Sequence, residues 1–238
     1  MTGVLAIVQA RCSSSRLPGK VLAPVEGEPM IMRQLERIAR ARMLDEVVIA
    51  TSVHESDDAL AFELERRGYA VRRGPLADVL ERFMLVVDEF TPQHVVRLTG
   101  DCPLTDPDVI DLVVASHLVS GADYTSNALE RTFPHGLDVE AMKASALSAL
   151  RPMALNADEH EHVTLGIYSR SKDFILHSVR QGADSSNLRW TVDYPADLDF
   201  VRAVYEEFLP RNPQFTTADV LEWVGHHPEK SRTSSDVS

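Results

Sequence analysis

The stretch "QARCSSSRLPGK", residues 9–20, sets three cations, Arg11, Arg16 and Lys20, directly after the apolar run "VLAIV". The small residues around them (Ala10, Ser13, Ser14, Ser15, Gly19) let backbone N–H groups come close to an anion. Arg16 offers phosphate a planar fork and Lys20 a point charge, contacts worth roughly 1.5–3 kcal/mol each. The chemistry that fits is the cradling of a polyphosphate. A solvated turn with incidental charges is the other reading. The place of the loop at the carboxyl end of a first strand, where α/β sheets bind ligands, favours the cradle. It is not a Walker A loop: Ser14 stands where the first glycine belongs, and Val21 replaces the Ser or Thr after lysine.

Two distant carboxylates bear on the same chemistry. Asp101 closes "HVVRLTGD", and Asp193 closes "LRWTVD". Brought together beside bound phosphates they would form a Mg²⁺ site, since Mg²⁺ takes one or two carboxylates plus phosphate oxygens and water. Taken singly, Asp101 also reads as a turn former before Pro103, and Asp193 as the residue leading into a helix at Pro195. "DEHEHVT" is not a zinc motif: Thr164 occupies the second histidine's place, and His160 and His162, two apart, do not share a helical face. Cys12 and Cys102 read as small buried fillers, with no histidine partner specified for a thiol nucleophile.

The elements that must position these groups alternate. "VLAIVQA", "DEVVIATS", "YAVRR" and "HVVRLTGD" have the character of buried parallel strands. Between them "PMIMRQLERIARARML", "SDDALAFELERRG" and "PLADVLERFMLVVDEF" carry helical spacing, with Ser56 as the expected cap of the second and Gly68 as its stop. "TDPDVIDLVVASHLVSG" opens on Asp106 as N-cap and Pro107 in the first turn. Right-handed crossovers then give an α/β fold with a mostly parallel, doubly wound, Rossmann-like sheet. No GxGxxG follows the first strand. From about residue 122 to 187 the rhythm changes to short strands ("DYTSN", "GLDVEAM", "FILHSVR") and short helices, a small mixed α/β insertion that reads as a substrate-side or dimer-forming portion. "LRWTVD" is expected to return to the sheet as a strand, and "PADLDFVRAVYEEFL" to close it as a helix. Residues 1–226 read as one domain, and 227–238 as a polar, disordered tail.

Composition narrows the class further. The 238 residues are 44% hydrophobic and 25% charged, ordinary globular values. The net charge of −12 argues against a nucleic-acid partner, but leaves room for an anion in a local cationic pocket. No apolar run is long enough to span a bilayer, no signal-peptide pattern is present, and two cysteines point to a reducing, cytoplasmic setting.

"QARCSSSRLPGK" resembles the N-terminal signature of the sugar-acid cytidylyltransferases, which include the synthetases that activate 3-deoxy-octulosonate and acylneuraminate. "RRGPLADVLERF", "RLTGDCPLTDP", "FPHGLDVE", "LRWTVDYPADL" and, more loosely, "EHEHVTLGIY" follow in the order of the spore-coat-polysaccharide (SpsF-type) branch. The likeness covers most of residues 3–205. It implies a nucleotide-diphospho-sugar transferase type of fold and a Mg²⁺-dependent transfer of CMP from CTP to a sugar acid or other small acid, with pyrophosphate released. It implies a homodimer as well. Arg16, Lys20, Asp101 and Asp193 would carry catalysis, the two aspartates holding the metal. Ala10, Arg11, Ser13, Ser14, Thr51, Arg73, Gly74, Arg82 and Gly100 would join Arg16 and Lys20 around the nucleotide. Asp78 and Arg82, four apart, could instead be a surface pair needing no ligand. His135, Gly136, Asp138, Glu161 and His162 would line the acceptor, although a strand with a glycine bulge also explains "FPHGLDVE". Relatives often carry Arg where His135 stands. A metal-dependent glycosyltransferase is an alternative, disfavoured because "TGDCPL" lacks the Asp-x-Asp pattern expected there. A non-catalytic nucleotide-binding relative is another, disfavoured by the intact cations and aspartates.

Overall fold

The computed structural model describes residues 3–237. Strand β1 (Val4–Gln9) leads through the cationic loop to a two-stranded ribbon, β2 (Pro24–Val25) and β3 (Glu28–Pro29). Helix and strand then alternate: α1 (Met30–Ile38), β4 (Glu46–Ser52), α2 (Asp58–Arg66), β5 (Ala70–Gly74), α3 (Val79–Phe90), β6 (His94–Thr99) and α4 (Pro107–Ser120). The insertion contributes β7 (Tyr124–Ser126), β8 (Glu140–Lys143), α5 (Ala144–Ser148), α6 (Ala157–Glu161), α7 (Leu165–Tyr168) and β9 (Leu176–Ser178). Helices α8 (Pro195–Phe208) and α9 (Thr217–His226) follow.

One seven-stranded sheet runs β5-β4-β1-β6-β8-β7-β9. Strands β5, β4, β1 and β6 are parallel neighbours; β8 runs against both β6 and β7. The mostly parallel, doubly wound α/β sheet with a mixed insertion is therefore present. The side-chain alternation of β1 explains the two layers. Ala6 and Val8 face a core built with α1, α2, α4, α8 and α9, while Leu5 and Ile7 face one built with α3, α5 and α7. All four are fully buried, which is why the run is apolar throughout rather than alternating.

Three local expectations are corrected. Ser56 does not cap α2: a single turn of 3₁₀ helix (Glu55–Asp57) precedes it, and Asp57 holds the N-cap position. "LRWTVD" is not a strand of the sheet. Its backbone instead lies against loops, with Trp190 N donating to His135 O (2.6 Å) and Val192 N to Asp101 O (2.8 Å). β6 already has β1 and β8 as neighbours, so no free edge is left there for it. The tail, through residue 236, is not free chain: Ser234 N donates to Asn187 O (3.0 Å), and Arg232 reaches the buried Asp197. Polar contacts anchor it where apolar ones are missing. Ser238 lies outside the described residues.

Candidate active site

The cationic loop is pinned at both ends. Asp57, fully buried, accepts from Cys12 N (2.7 Å) with one oxygen and from Ser52 Oγ with the other, tying the loop to the end of β4. At the far end Gly19 takes φ +73°, a left-handed turn that glycine adopts at no steric cost, and its N–H closes on Cys12 O (2.8 Å). Among the described residues the amides of Ser15 and Arg16, both of which line the cavity described below, have no hydrogen-bond partner, so they remain for a ligand. Burial, reinforced by Asp57, pushes the Cys12 thiol up to about 11, and burial also raises Cys102 well above the usual thiol range. Neither thiol is poised as a nucleophile.

Lys20 opens the short 3₁₀ turn Lys20–Leu22 and is buried. Its Nζ donates to Val192 O (2.6 Å), Asp101 Oδ2 (3.0 Å) and Asp193 Oδ1 (3.0 Å). Carboxylates that are 92 positions apart in sequence thus converge on one cation, and Arg16 Nη2 adds a third approach at 3.1 Å from Asp193 Oδ1. Burial opposes ionisation of Asp193, but Lys20, Arg189 and Arg16 override it and hold its carboxyl down at about 2. The same carboxylates outweigh desolvation and raise Lys20. Arg189 Nη2 donates to Asp193 Oδ2 (2.7 Å).

These groups border a cavity of about 760 Å³ at the carboxyl ends of β1 and β6. Ala10, Arg11, Ser14, Arg16, Lys20 and Gly100 line it, as do Asp101 and Asp193. Gly100 is there for room: a Cβ would lie 2.8 Å from Ala10 Cβ and 3.0 Å from Gln9 O. Ser13, Thr51, Arg73, Gly74 and Gly136 lie outside the lining. Ser13 faces solvent, and Thr51 is buried near the end of β4. Arg73 turns to Ser52 O (2.8 Å) and Asp58 (2.5 Å). Gly74 makes space for Arg82, whose Cγ would sit 2.7 Å from an added Cβ.

Arg82 is not in a surface pair with Asp78, whose side chain caps α3 by accepting from Glu81 N (2.9 Å). Arg82 is 2% exposed, lines the cavity and has no carboxylate within ion-pair distance among the described residues. Burial and the neighbouring Arg11 weaken its hold on its proton. A buried, unpaired guanidinium is costly to the fold, so its position calls for a ligand's acceptors. Every other pocket arginine has an acid: Arg11 meets Glu161 (2.7 Å), Arg97 meets Glu140, and Arg131 makes a two-pronged contact with Asp138.

On the insertion side His135, Asp138, Glu161 and His162 line the cavity. Burial lowers the His135 pKa against the pull of Asp138, 3.7 Å away. Gly136 positions the wall instead of lining it: its φ is +109°, and a Cβ would lie 2.5 Å from Thr191 N. Reasoning from sequence passed over a polar cluster at the floor. Glu140 accepts from Tyr124 Oη (2.6 Å) and Thr164 Oγ1 (2.7 Å), while Arg97 also donates to Gln9 Oε1 (2.8 Å). The polar Arg97 inside an otherwise apolar strand run was the available signal. Among the described residues no group of three or more His, Cys, Asp or Glu side chains gathers as a metal site, so a divalent ion here would need ligand oxygens besides the two aspartates. No helix of the described residues is long and apolar enough to cross a membrane.

The sheet order, the single reversed strand and a cavity at the strand ends define a nucleotide-diphospho-sugar transferase type of fold. The cytidylyltransferase family model matches residues 5–204. The chain belongs to that family and is a cytidylyltransferase-family enzyme. It is 32% identical over 238 aligned residues to the spore coat polysaccharide biosynthesis protein SpsF of Bacillus subtilis (strain 168), covering 96% of this chain and 97% of that one. A cytidylyltransferase structure from Leptospira borgpetersenii serovar Hardjo-bovis (strain JB197) superposes with a TM-score of 0.91 at 28% identity, covering 97% of each chain. A CMP:2-keto-3-deoxy-manno-octonic acid synthetase complexed with CTP shares the fold, with a TM-score of 0.65 at 18% identity over 87% of this chain and 99% of that one.

Proposed function

We propose that the protein transfers CMP from CTP to a sugar acid or similar small acid, releasing pyrophosphate, with a divalent metal held by Asp101 and Asp193. The observation that carries this reading is the meeting of both carboxylates on Lys20 Nζ at 3.0 Å each. An ammonium stands where a cation is wanted, and two carboxylates beside a phosphate cradle suit Mg²⁺. When bound, Mg²⁺ supplies charge neutralisation at the α-phosphate and lowers the cost of ionising the acceptor hydroxyl.

The chain's own residues do the rest. The free loop amides, Arg16 and Lys20 hold the triphosphate. The acceptor hydroxyl attacks the α-phosphorus, the bond to the β-phosphate oxygen breaks, pyrophosphate leaves and the hydroxyl proton passes to water. Such a displacement depends on positioning and charge rather than on covalent help from the protein. Arg82 would offer its fork to acceptors of the nucleotide, and His135, Asp138, Glu161 and His162 would orient the acceptor. CTP is favoured by family membership and by the CTP held in the fold relative. The full-length likeness to a polysaccharide biosynthesis protein supports a place in making activated sugars for a surface polymer.

A pyrophosphate-release assay with CTP, UTP, GTP and dTTP against a panel of sugar acids tests the reading. Release with CTP that disappears in EDTA and in Asp101→Ala is expected. Transfer from a nucleotide sugar without pyrophosphate release would overturn it.

A further inference from the structure

The chain's last described residues run back over the segment that carries Asp193. Arg189 N donates to Arg232 O (2.8 Å), Ser234 N to Asn187 O (3.0 Å), and Leu188 and Thr233 form an antiparallel bridge. Thr233 is held in turn by Asp236, which accepts from its N–H (2.6 Å) and hydroxyl (2.9 Å). From this strap Arg232 sends Nε (3.2 Å) and Nη2 (3.1 Å) to Asp197 Oδ1. Asp197 is 1% exposed. Its other oxygen accepts from Asp193 N (3.0 Å), Tyr194 N (3.0 Å) and Arg189 Nη2 (3.3 Å).

We infer that residues 231–236 form a strap, with Arg232 as a positioning residue that fixes Asp193 by way of Asp197 and Arg189. The inference rests on the proposed role of Asp193 at the metal. Its physics is a matter of shared charge. Arg189 serves two acids, Asp193 Oδ2 at 2.7 Å and Asp197 Oδ2 at 3.3 Å. With Arg232 present, Asp197 has its own cation, and Arg189 stays with Asp193. Without Arg232, a buried carboxylate must draw on Arg189 alone, because an uncompensated buried charge is costly. Arg189 then shifts toward Asp197, and Asp193 loses the partner of its Oδ2 while Lys20 and Arg16 keep hold of Oδ1 alone. Backbone pairing and polar side chains hold the strap, and no apolar plug does, so its loss is a local event with consequences at the site.

Three variants test this: Arg232→Ala, Arg232→Lys and a chain ending at Lys230. Two measurements are read, Mn²⁺ affinity by electron paramagnetic resonance in the presence of CTP, and hydrogen exchange of the Asp193 and Tyr194 amides with neither metal nor nucleotide. Removing an outer partner of a metal-holding residue typically costs 10–100-fold in metal affinity. A loss of about that size is expected in Arg232→Ala and in the shortened chain, with partial recovery in Arg232→Lys. The two amides should exchange faster while β1 stays protected. Unchanged Mn²⁺ affinity and unchanged exchange overturn the strap, and so does exchange that rises equally throughout β1. Asp193→Ala separates the two readings. If it abolishes Mn²⁺ binding while Arg232→Ala leaves it intact, the strap alone falls; if it leaves Mn²⁺ affinity unchanged, the metal reading falls and the inference with it.

Discussion

Replacing Lys20 by methionine keeps most of the side chain's volume and removes the one cation shared by Asp101 and Asp193. Three interactions go at once: contacts to Asp101 and Asp193 at 3.0 Å and to Val192 O at 2.6 Å. Breaking a buried pair by removing one partner costs about 3–5 kcal/mol. Arg189 and Arg16 still face Asp193, and the Asp101 side chain is 28% exposed, which brings the expected loss to about 2–3 kcal/mol. For a chain of this length that lowers Tm by roughly 5–10 °C. The sign with pH follows from Asp193. Its carboxyl is held at about 2 against 3.8 in the unfolded chain, so its contribution is complete above about 4 and lost as pH falls through 2. Without Lys20 its carboxyl lies nearer the unfolded value, so the Tm difference between the two proteins shrinks as pH falls from about 4 toward 2. Mg²⁺ supplies the decisive comparison. If Lys20 occupies the place of a second cation, saturating Mg²⁺ should stabilise Lys20→Met more than the parent protein, by up to about 2.7 kcal/mol at a hundredfold excess over Kd, and raise its Tm accordingly. Calorimetry with and without Mg²⁺ decides this. An unchanged Tm at pH 7, or equal Mg²⁺ shifts in the two proteins, would refute the reasoning.

Arg82→Met should raise Tm, because it removes a buried unpaired charge, and weaken CTP binding by roughly 10–150-fold, the worth of a charged hydrogen bond; titration calorimetry that finds CTP affinity intact would sink the role given to Arg82. His117, buried against His94 and Thr125, is lowered to about 4 by desolvation and then by His94. Because the unfolded chain takes up this proton first, stability should fall from about pH 6.5 toward 4 by about 3 kcal/mol, and urea unfolding of His117→Gln should show a flatter slope over that range. Gly136→Ala should cost more than about 3 kcal/mol, since its Cβ meets the backbone of Trp190 and Thr191 where neither can yield; a Tm within a few degrees of the parent would contradict that geometry.

Much of this was legible in the residues. Runs such as "VLAIVQA" and "HVVRLTGD" announce parallel strands because burial on both faces leaves no polar alternation. The serine-rich cationic loop points to an anion because it follows the carboxyl end of β1, and the structure brings both Asp101 and Asp193 to that loop's Lys20. What could not be read was set by distant partners. Arg82 could have met Asp78 on a helix surface, and only the packing of α3 against Gly74 turns it inward. The extended run "LRWTV" looks like a strand wherever it lies, and the sheet's neighbours had to exclude it. Nothing local in the sequence singles out Asp57 or Asp197, yet each is buried and meets a donor from a remote segment, Cys12 N for the first and the Arg232 guanidinium for the second. A tail without apolar residues reads as free chain, since composition cannot reveal that a buried acid awaits its arginine.

The internal pairing of the pocket arginines has a kinetic meaning. Arg11, Arg97 and Arg131 spend their charge on acids of the same wall, and the chain as a whole carries −12. Seen from a distance, such a molecule repels a polyanion; its attraction is felt only at contact. Encounter with nucleotide is therefore hindered at low ionic strength and eased as counterions screen the surface, the reverse of the steering seen in enzymes that advertise a basic mouth. Nucleotide that has already partly neutralised itself with a divalent ion approaches more readily than the bare triphosphate.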